Sequence, residues 1–180
     1  MISRFLATFC YTGLFPFAPG TAGSLATVPV AAYVYFTTGW IGYTLAWIAI
    51  TGIGYVAVAK ETKGAKDHDP GEIVIDETSG QWIALIPAYI YLSFFPALDD
   101  ALTSNLTFVT LVLLIAGFLP FRLFDIWKPW PVSWADGMNT PLGVMLDDVL
   151  AGLMVVIFSI PMLVTIYFAL NVINQAPVGS

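Results

Sequence analysis

Charge is what this sequence has least of. Charged residues fill 10% of its 180 positions, whereas soluble domains carry about 25%, so lipid rather than water is the natural solvent for much of the surface. Cysteine is nearly absent: Cys10 stands alone, which excludes an intramolecular disulfide and a multi-cysteine metal site. Histidine is equally scarce. His68 alone leaves a zinc site short of ligands, and a serine–histidine hydrolase would rest on that single imidazole with no nucleophile-elbow pattern beside it. Six basic residues stand against twelve acidic ones, and a net charge of −6 offers no basic stripe for nucleic acid. Barrel-like alternation, internal repeats and low-complexity tracts are missing. Pro16, Pro19 and Gly20 interrupt the apolar run after Arg4, so no cleavable leader is expected.

What is abundant is apolar. Hydrophobic residues make up 58% of the chain, and the mean hydropathy is +0.84. Four stretches stand out, roughly Trp40–Ala59, Gln81–Pro96, Leu106–Phe121 and Val149–Val172, and none contains a charge. The first and last are long enough for a hydrocarbon core of about 30 Å; the middle two span if their flanks sit in the interfaces. A fifth, Leu25–Thr38, either spans with neighbours or re-enters as a half-helix. Backbone groups in lipid must pair within their own segment, so the spans are helices. The expectation is one all-α domain over residues 1–180: a polytopic membrane protein of four to five transmembrane or re-entrant helices, with its chemistry in loops.

Charge gives the topology. With five spans and the N-terminus inside, Arg4, Lys60, Lys63, Lys66, Arg122 and Lys128 all fall on the cytoplasmic side. The opposite loops hold no basic residue, and one of them carries Asp99 and Asp100. That asymmetry is the positive-inside pattern. It puts three polar patches, Tyr11–Ser24, Lys60–Gly80 and Arg122–Asp148, on one face of the membrane.

The patches are rich in carboxylates: Asp67, Asp69, Glu72, Asp76, Glu77, Asp125, Asp136, Asp147 and Asp148. Hard cations such as Mg²⁺ take oxygen ligands and bridge carboxylates to phosphate. Asp76 and Glu77 precede an apolar run, where acidic residues also suit a helix N-terminus; yet two carboxylates at the mouth of a membrane helix are costly unless solvated or bound. Asp147 and Asp148 repeat the arrangement before Val149, where one of them could serve only as an N-cap. Arg122, Asp125 and Lys128 are spaced by three, which on a helix places them within a third of the circumference, and Pro129 should end that helix at Lys128. Such a face suits phosphate and metal, or equally an interfacial ion-pair ladder. Pro19-Gly20-Thr21-Ala22-Gly23-Ser24 reads as a loop before a helix that turns N–H groups toward an anion, or as a plain loop with Ser24 as N-cap. It is not a Walker A sequence. His68 is set aside as a polar loop residue.

Taken together, these segments resemble the phosphatidylglycerophosphatase A family. The resemblance rests on Pro19-Gly20-Thr21-Ala22-Gly23-Ser24, on Ile73-Val74-Ile75-Asp76-Glu77 with Gly80, on Phe121-Arg122-Leu123-Phe124-Asp125-Ile126-Trp127-Lys128-Pro129-Trp130-Pro131, and on Gly143-Val144-Met145-Leu146-Asp147-Asp148-Val149-Leu150-Ala151-Gly152. Each motif is weak, but the ordered set is specific. It implies an all-helical, Mg²⁺-dependent phosphatase of the bacterial inner membrane that converts phosphatidylglycerophosphate to phosphatidylglycerol and inorganic phosphate. Asp76, Glu77, Asp125, Asp147 and Asp148 would then supply most metal ligands. Catalysis would fall to Asp76, Glu77, Asp125, Lys128 and Asp148, and substrate binding to Gly20, Thr21, Ser24, Arg122 and Lys128. The nucleophile is left open between water and an aspartate. One departure stands out: where the family usually has arginine after the equivalent of Asp136, this chain has Gly137. The rival readings are a transporter or channel subunit, or a phosphatase for another lipid phosphate. The first is disfavoured because the charges cluster at span ends on one side.

Overall fold

In a computed structural model of the chain, residues 1–64, 70–94 and 105–175 are described. Lys66, Asp67, His68, Asp69, Asp99 and Asp100 lie outside them. Among the described residues all regular structure is helical: α1 (Ile2–Ala7), a short 3-10 turn (Thr12–Leu14), α2 (Pro19–Glu61), α3 (Ile75–Ala84), α4 (Ile86–Phe94), α5 (Leu106–Trp127), α6 (Val132–Asp136) and α7 (Pro141–Gln175). Three of these, α2, α5 and α7, are long and apolar enough to cross a membrane.

The longest, α2, is two arms. Gly39, at φ 66° and ψ −165°, breaks it, and only glycine takes such a backbone without penalty. The contacts show that the chain doubles back there. Thr27 on the first arm bonds Thr78 at 3.2 Å, while Thr51 on the second bonds Ser79 at 2.7 Å. A Cβ on Gly23 would meet Val74, and one on Gly54 would meet Ile75. Each arm is about 30 Å long at about 1.5 Å per residue. Leu25–Thr38 is therefore the greater part of a full-length hairpin limb, Pro19 to Thr38, rather than a half-helix.

The expected span Gln81–Pro96 is the main departure. Its helix starts earlier, at Ile75, and breaks at Leu85 into α3 and α4. Every residue of α3 except Glu77 is buried, including Asp76, Thr78, Ser79 and Gln81. Hydropathy could not see this, because α3 faces protein on all sides and uses its hydroxyls to bond the hairpin. Trp47 Nε1 donates to the Ser79 carbonyl, and Thr27 reaches Thr78.

α5 widens to a π-turn over Leu114–Phe118. Pro120 follows, and a wider turn relieves the clash of its ring with the carbonyl four residues back. Gly117 lies in that turn, and a side chain there would press on Leu85 at the α3–α4 break. α5 ends at Trp127, where the following proline bars Lys128 from the right-handed helix; Lys128 takes the left-handed region at φ 46° and its N–H closes the helix on the Phe124 carbonyl. α7 starts eight residues before the expected Val149, capped by Thr140, whose hydroxyl accepts from Gly143 N–H.

The order of the limbs puts residues 1–18, 62–64, 70–74 and 128–140 at one end of the bundle. Arg4, Lys60, Lys63, Arg122 and Lys128 are all at that end. α1 secures it: the Val74 N–H donates to the Ala7 carbonyl, and Ala7 packs with Ala57, Val58, Ile73 and Ile75. This fixes the segment that feeds α3.

Candidate active site

Two helices make the centre of the site. Asp76 and Gly80 on α3 are four residues apart, and so are Asp148 and Gly152 on α7. On each helix the glycine lies one turn from the aspartate on the same face. The glycines form the contact: a Cβ on Gly80 would strike the Asp148 carbonyl, and one on Gly152 would strike the Gly80 carbonyl. Backbones this close leave the aspartates facing one another. Asp76, Glu77 and Asp148 can each offer an oxygen so that all three lie within 4.8 Å.

Their burial makes that proximity costly. Asp76 and Asp148 are 4% exposed. Glu77 Oε2 and Asp148 Oδ1 are sealed from solvent with no hydrogen-bond donor among the described residues. Burial and the charge of Asp125 push the Glu77 carboxyl up to about 7, against the pull of its Asp76 hydrogen bond and of Arg122. Like charges in a dry site are stabilised by a shared proton or a bound cation. Three converging carboxylate oxygens are the donor set that a hard divalent ion prefers.

Around this centre sit two cations, each tied to carboxylates. Arg122 pairs with Asp125 one turn along α5, and both side chains are largely buried. Its Nη1 also donates to Ser24 Oγ at 3.3 Å, while its Nε lacks a partner among the described residues. Lys128 pairs with Asp136 and, at 2.8 Å, with Asp147. Burial alone would lower its pKa, but the hydrogen bonds to Asp136 and Asp147 outweigh burial and raise it, so the ammonium stays charged.

Several expectations are thereby sorted. Asp76, Glu77 and Asp148 come together. Asp125 and Asp147 are not in that cluster; they hold Arg122 and Lys128, with Asp147 Oδ1 also accepting from its neighbour's N–H. Asp147 and Asp148 are seventh and eighth in α7, so neither is an N-cap. Arg122 and Asp125 share a face as expected, but Lys128 does not continue it. Its left-handed backbone carries the chain off the helix, toward Asp136 and Asp147. The segment at Gly20, Thr21 and Ser24 is not a loop: α2 begins at Pro19, and all three lie in its first two turns. Ser24 Oγ donates back to the Gly20 carbonyl and is no cap. Gly20 matters through its missing side chain, since a Cβ would collide with Glu77 and come within 3.5 Å of Arg122 Nη1. Thr21 is half-buried on the same turn. Asp136, named only among the carboxylates, proves to be a partner of Lys128. The paired glycines four residues after each aspartate were the signal for the helix contact that builds the site.

Comparison with known proteins places this geometry in context. Residues 5–163 match the phosphatidylglycerophosphatase A family. A phosphatidylglycerophosphatase A of Escherichia coli strain K12 is 37% identical over 142 residues, spanning 78% of this chain and 72% of the relative. One from Haemophilus influenzae Rd is 31% identical over 152 residues, spanning 83% of this chain and 82% of the relative. A Bacteroides thetaiotaomicron protein that carries the provisional name phosphatidylinositol-3-phosphatase is 33% identical over 144 residues, spanning 78% of this chain and 80% of the relative. No solved structure matches. With its helical membrane fold and a site assembled from the matched segments, the chain belongs to the phosphatidylglycerophosphatase A family of phosphatases.

Proposed function

We propose that this chain hydrolyses the terminal phosphate monoester of phosphatidylglycerophosphate, releasing phosphatidylglycerol and inorganic phosphate, with Mg²⁺ as cofactor, at the cytoplasmic face of a bacterial inner membrane. The observation that carries the reading is the convergence of Asp76, Glu77 and Asp148 beside Arg122, at the end of the bundle that holds all the described basic residues. The orientation follows from that same asymmetry. Bilayer lipid is the surrounding medium, as the exposed Ile41, Leu45 and Ile157 on the spans require.

The donor set fits a hard cation: oxygen ligands only, two of them with buried atoms that lack a donor among the described residues. Asp76, Glu77 and Asp148 would hold the ion, which when bound supplies charge neutralisation for a phosphoryl group. The rest is done by the chain. Arg122 presents a planar fork with its Nε unengaged, suited to two phosphoryl oxygens. Asp125 and Ser24 orient that fork. Lys128, kept charged by Asp136 and Asp147, adds positive potential as charge builds on the phosphoryl oxygens in the transition state. Gly20 leaves the space that Glu77 occupies. Because Asp125 is held by Arg122 and Asp147 by Lys128, water is the nucleophile in this reading. Water adds to phosphorus as the ester P–O bond breaks, and a proton from that water passes to the glycerol oxygen, which leaves as an alcohol.

The test is phosphate release from phosphatidylglycerophosphate micelles by the detergent-purified protein, with Mg²⁺ and then with EDTA. Release that depends on the metal is expected. Release that persists unchanged in EDTA removes the cofactor from the reading, and no release by folded protein removes the substrate. Hydroxylamine should trap no phospho-aspartate during turnover; a trapped one would replace water with a carboxylate. Phosphatidylinositol 3-phosphate belongs in the same assay, because the exposed Gly137 stands where the family usually carries a cation, although a side chain there would make only ordinary contact, 3.5 Å from the Ser133 carbonyl, and the missing cation bears on head-group choice.

A further inference from the structure

The helices that present the phosphate-facing residues also enclose an apolar groove. The first arm of α2 carries Gly20 and Ser24, and α5 carries Arg122. Between the same two helices runs a groove of about 480 Å³. Its α2 wall includes Leu25, Val28, Ala32 and Phe36, and its α5 wall includes Val109 and Leu113. Leu25 directly follows Ser24, the residue that receives Arg122. On α2 the groove therefore begins at the residue after Ser24, while on α5 its wall ends at Leu114, eight residues and about 12 Å of helix from Arg122. From Leu25 to Phe36 the helix rises about 16 Å, close to half of a hydrocarbon core of about 30 Å. An anionic head at Arg122 and an apolar chain along this wall would satisfy both features with one molecule, and a soluble phosphate ester would leave the groove unused.

We infer that this groove holds one acyl chain of the substrate, so that the enzyme grips its lipid by the tail as well as by the phosphate. The inference rests on the proposal that the substrate is a lipid phosphate. It makes the two helices a specificity element: the chain fixes how far the phosphate monoester can rise toward the carboxylates. Ala32 is half-buried in the groove wall, and a large side chain there fills the space without touching the carboxylates or Arg122. Val109 offers the same test from the facing wall.

Two measurements decide it. The first compares kcat/KM for dipalmitoyl and dihexanoyl phosphatidylglycerophosphate in the same detergent. The wild-type protein should favour the long chain at least tenfold. Ala32→Trp and Val109→Trp should each bring that preference to within about twofold of unity while leaving the short-chain rate within about twofold, which also shows that the variants fold. Ile41→Trp, on an exposed position near the hairpin tip, should change neither. The second does not depend on turnover: a lipid phosphomonoester with a diazirine in its acyl chain is photolysed with the wild-type protein. Labelling should concentrate on peptides holding Val28, Ala32 and Val109, and excess phosphatidic acid, but not phosphatidylcholine, should suppress it. If both Trp variants keep the wild-type chain preference, or the label spreads over all spans and resists competition, the groove holds only bulk bilayer lipid and the inference fails. Absent turnover with competed labelling in the groove would instead overturn the assigned substrate and leave the groove standing.

Discussion

The hairpin α2 and the helix it wraps, α3, are built to opposite rules. On α2, Tyr33, Trp40, Ile41 and Leu45 are exposed, and the limbs present an apolar exterior. On α3, Asp76, Thr78, Ser79 and Gln81 are buried, and the ten-residue helix is enclosed except for part of Glu77. Apolar clusters around Trp82, Leu85 and Phe121 still fill much of the interior. Lipid takes the apolar side chains on the outside at no cost, so the interior need not be uniformly apolar. The interior is free to carry hydroxyls, an amide and carboxylates, and the chain spends that freedom on a site. Substituting those interior polar groups one at a time separates the ones that serve chemistry from the ones that serve stability.

The largest effect should come from the carboxylates. Asp148→Asn, Asp76→Asn and Asp125→Asn should each lower phosphate release by more than about a hundredfold, some 3 kcal/mol in the barrier, with helix content by circular dichroism unchanged. Asn keeps the shape and removes the charge, so near-normal rates at both Asp76 and Asp148 would dissolve the metal-site assignment, and a near-normal rate at Asp125 would dissolve its role in orienting Arg122. Next comes Lys128→Ala. It leaves Asp147, whose side chain is 7% exposed, without its cation. The Lys128 side chain is itself 30% exposed, so the cost falls short of the roughly 3–5 kcal/mol of a fully buried pair but is still large enough to shift unfolding in detergent down. Asp136→Asn removes only the partner that is 45% exposed, and its shift should be a fraction of the first. Equal shifts would mean that Lys128 is not held by Asp147.

Proton linkage gives a third comparison, between the protein with and without metal. The Glu77 carboxyl lies at about 7 in the folded protein against an ordinary 4.5, burial being the main cause. A folded pKa above the unfolded one means that the folded state binds the extra proton between those values. The resulting stabilisation is full below about pH 4.5 and is lost as pH rises through about 7. In EDTA, the melting temperature should therefore fall between about pH 4.5 and 7 and level off above that. Saturating Mg²⁺ should abolish the fall, because a bound cation replaces the proton. A flat profile in EDTA would show that Glu77 is already ionised and neutralised by the chain.

Gln81 sharpens the contrast from the other direction. It is fully buried, and neither amide atom has a partner among the described residues. A polar group left unmet costs about 1–3 kcal/mol. Gln81→Leu, close in volume, should raise the melting temperature. If it does so while turnover drops, the amide is retained for the reaction; a fall in melting temperature would mean that ordered water satisfies it.

Much of the fold was legible in the chain, and the misses share a cause. The long limbs could be read because lipid exposure demands continuous apolar runs, and Leu25–Thr38 and Trp40–Ala59 both appear as limbs joined at Gly39. The one-sided basic residues gave the site's end of the bundle. Asp76, Glu77 and Asp148 could be found because paired carboxylates beside an apolar run need a partner. α3 could not be framed by hydropathy, since a helix enclosed by protein has no lipid to match and mixes Asp, Thr, Ser and Gln freely. Gly20, Thr21 and Ser24 look like a loop because glycine and proline dominate there, yet Pro19 is well placed in a helical first turn and Gly20 and Gly23 serve close packing against Glu77 and Val74. Lys128 left its expected face because Pro129 constrains the backbone before it, a local rule that overrode the spacing of three.

The smallest expected effect lies at the rim of the same end. Arg4 on α1 meets Glu72 at 2.9 Å, but the two side chains are 53% and 43% exposed. An ion pair so open to water contributes about 0–1 kcal/mol and weakens with salt. The hydrogen bond from Val74 N–H to the Ala7 carbonyl and the packing of Ala7 tie α1 down without it. Arg4→Ala should therefore leave phosphate release within about twofold and barely move the melting temperature, even in low salt. A larger loss would mean that α1 reaches the substrate's surface charge rather than only bracing the entry to α3, and raising the ionic strength would separate the two. Salt should erase a long-range attraction of Arg4 for anionic lipid and leave a bracing role untouched.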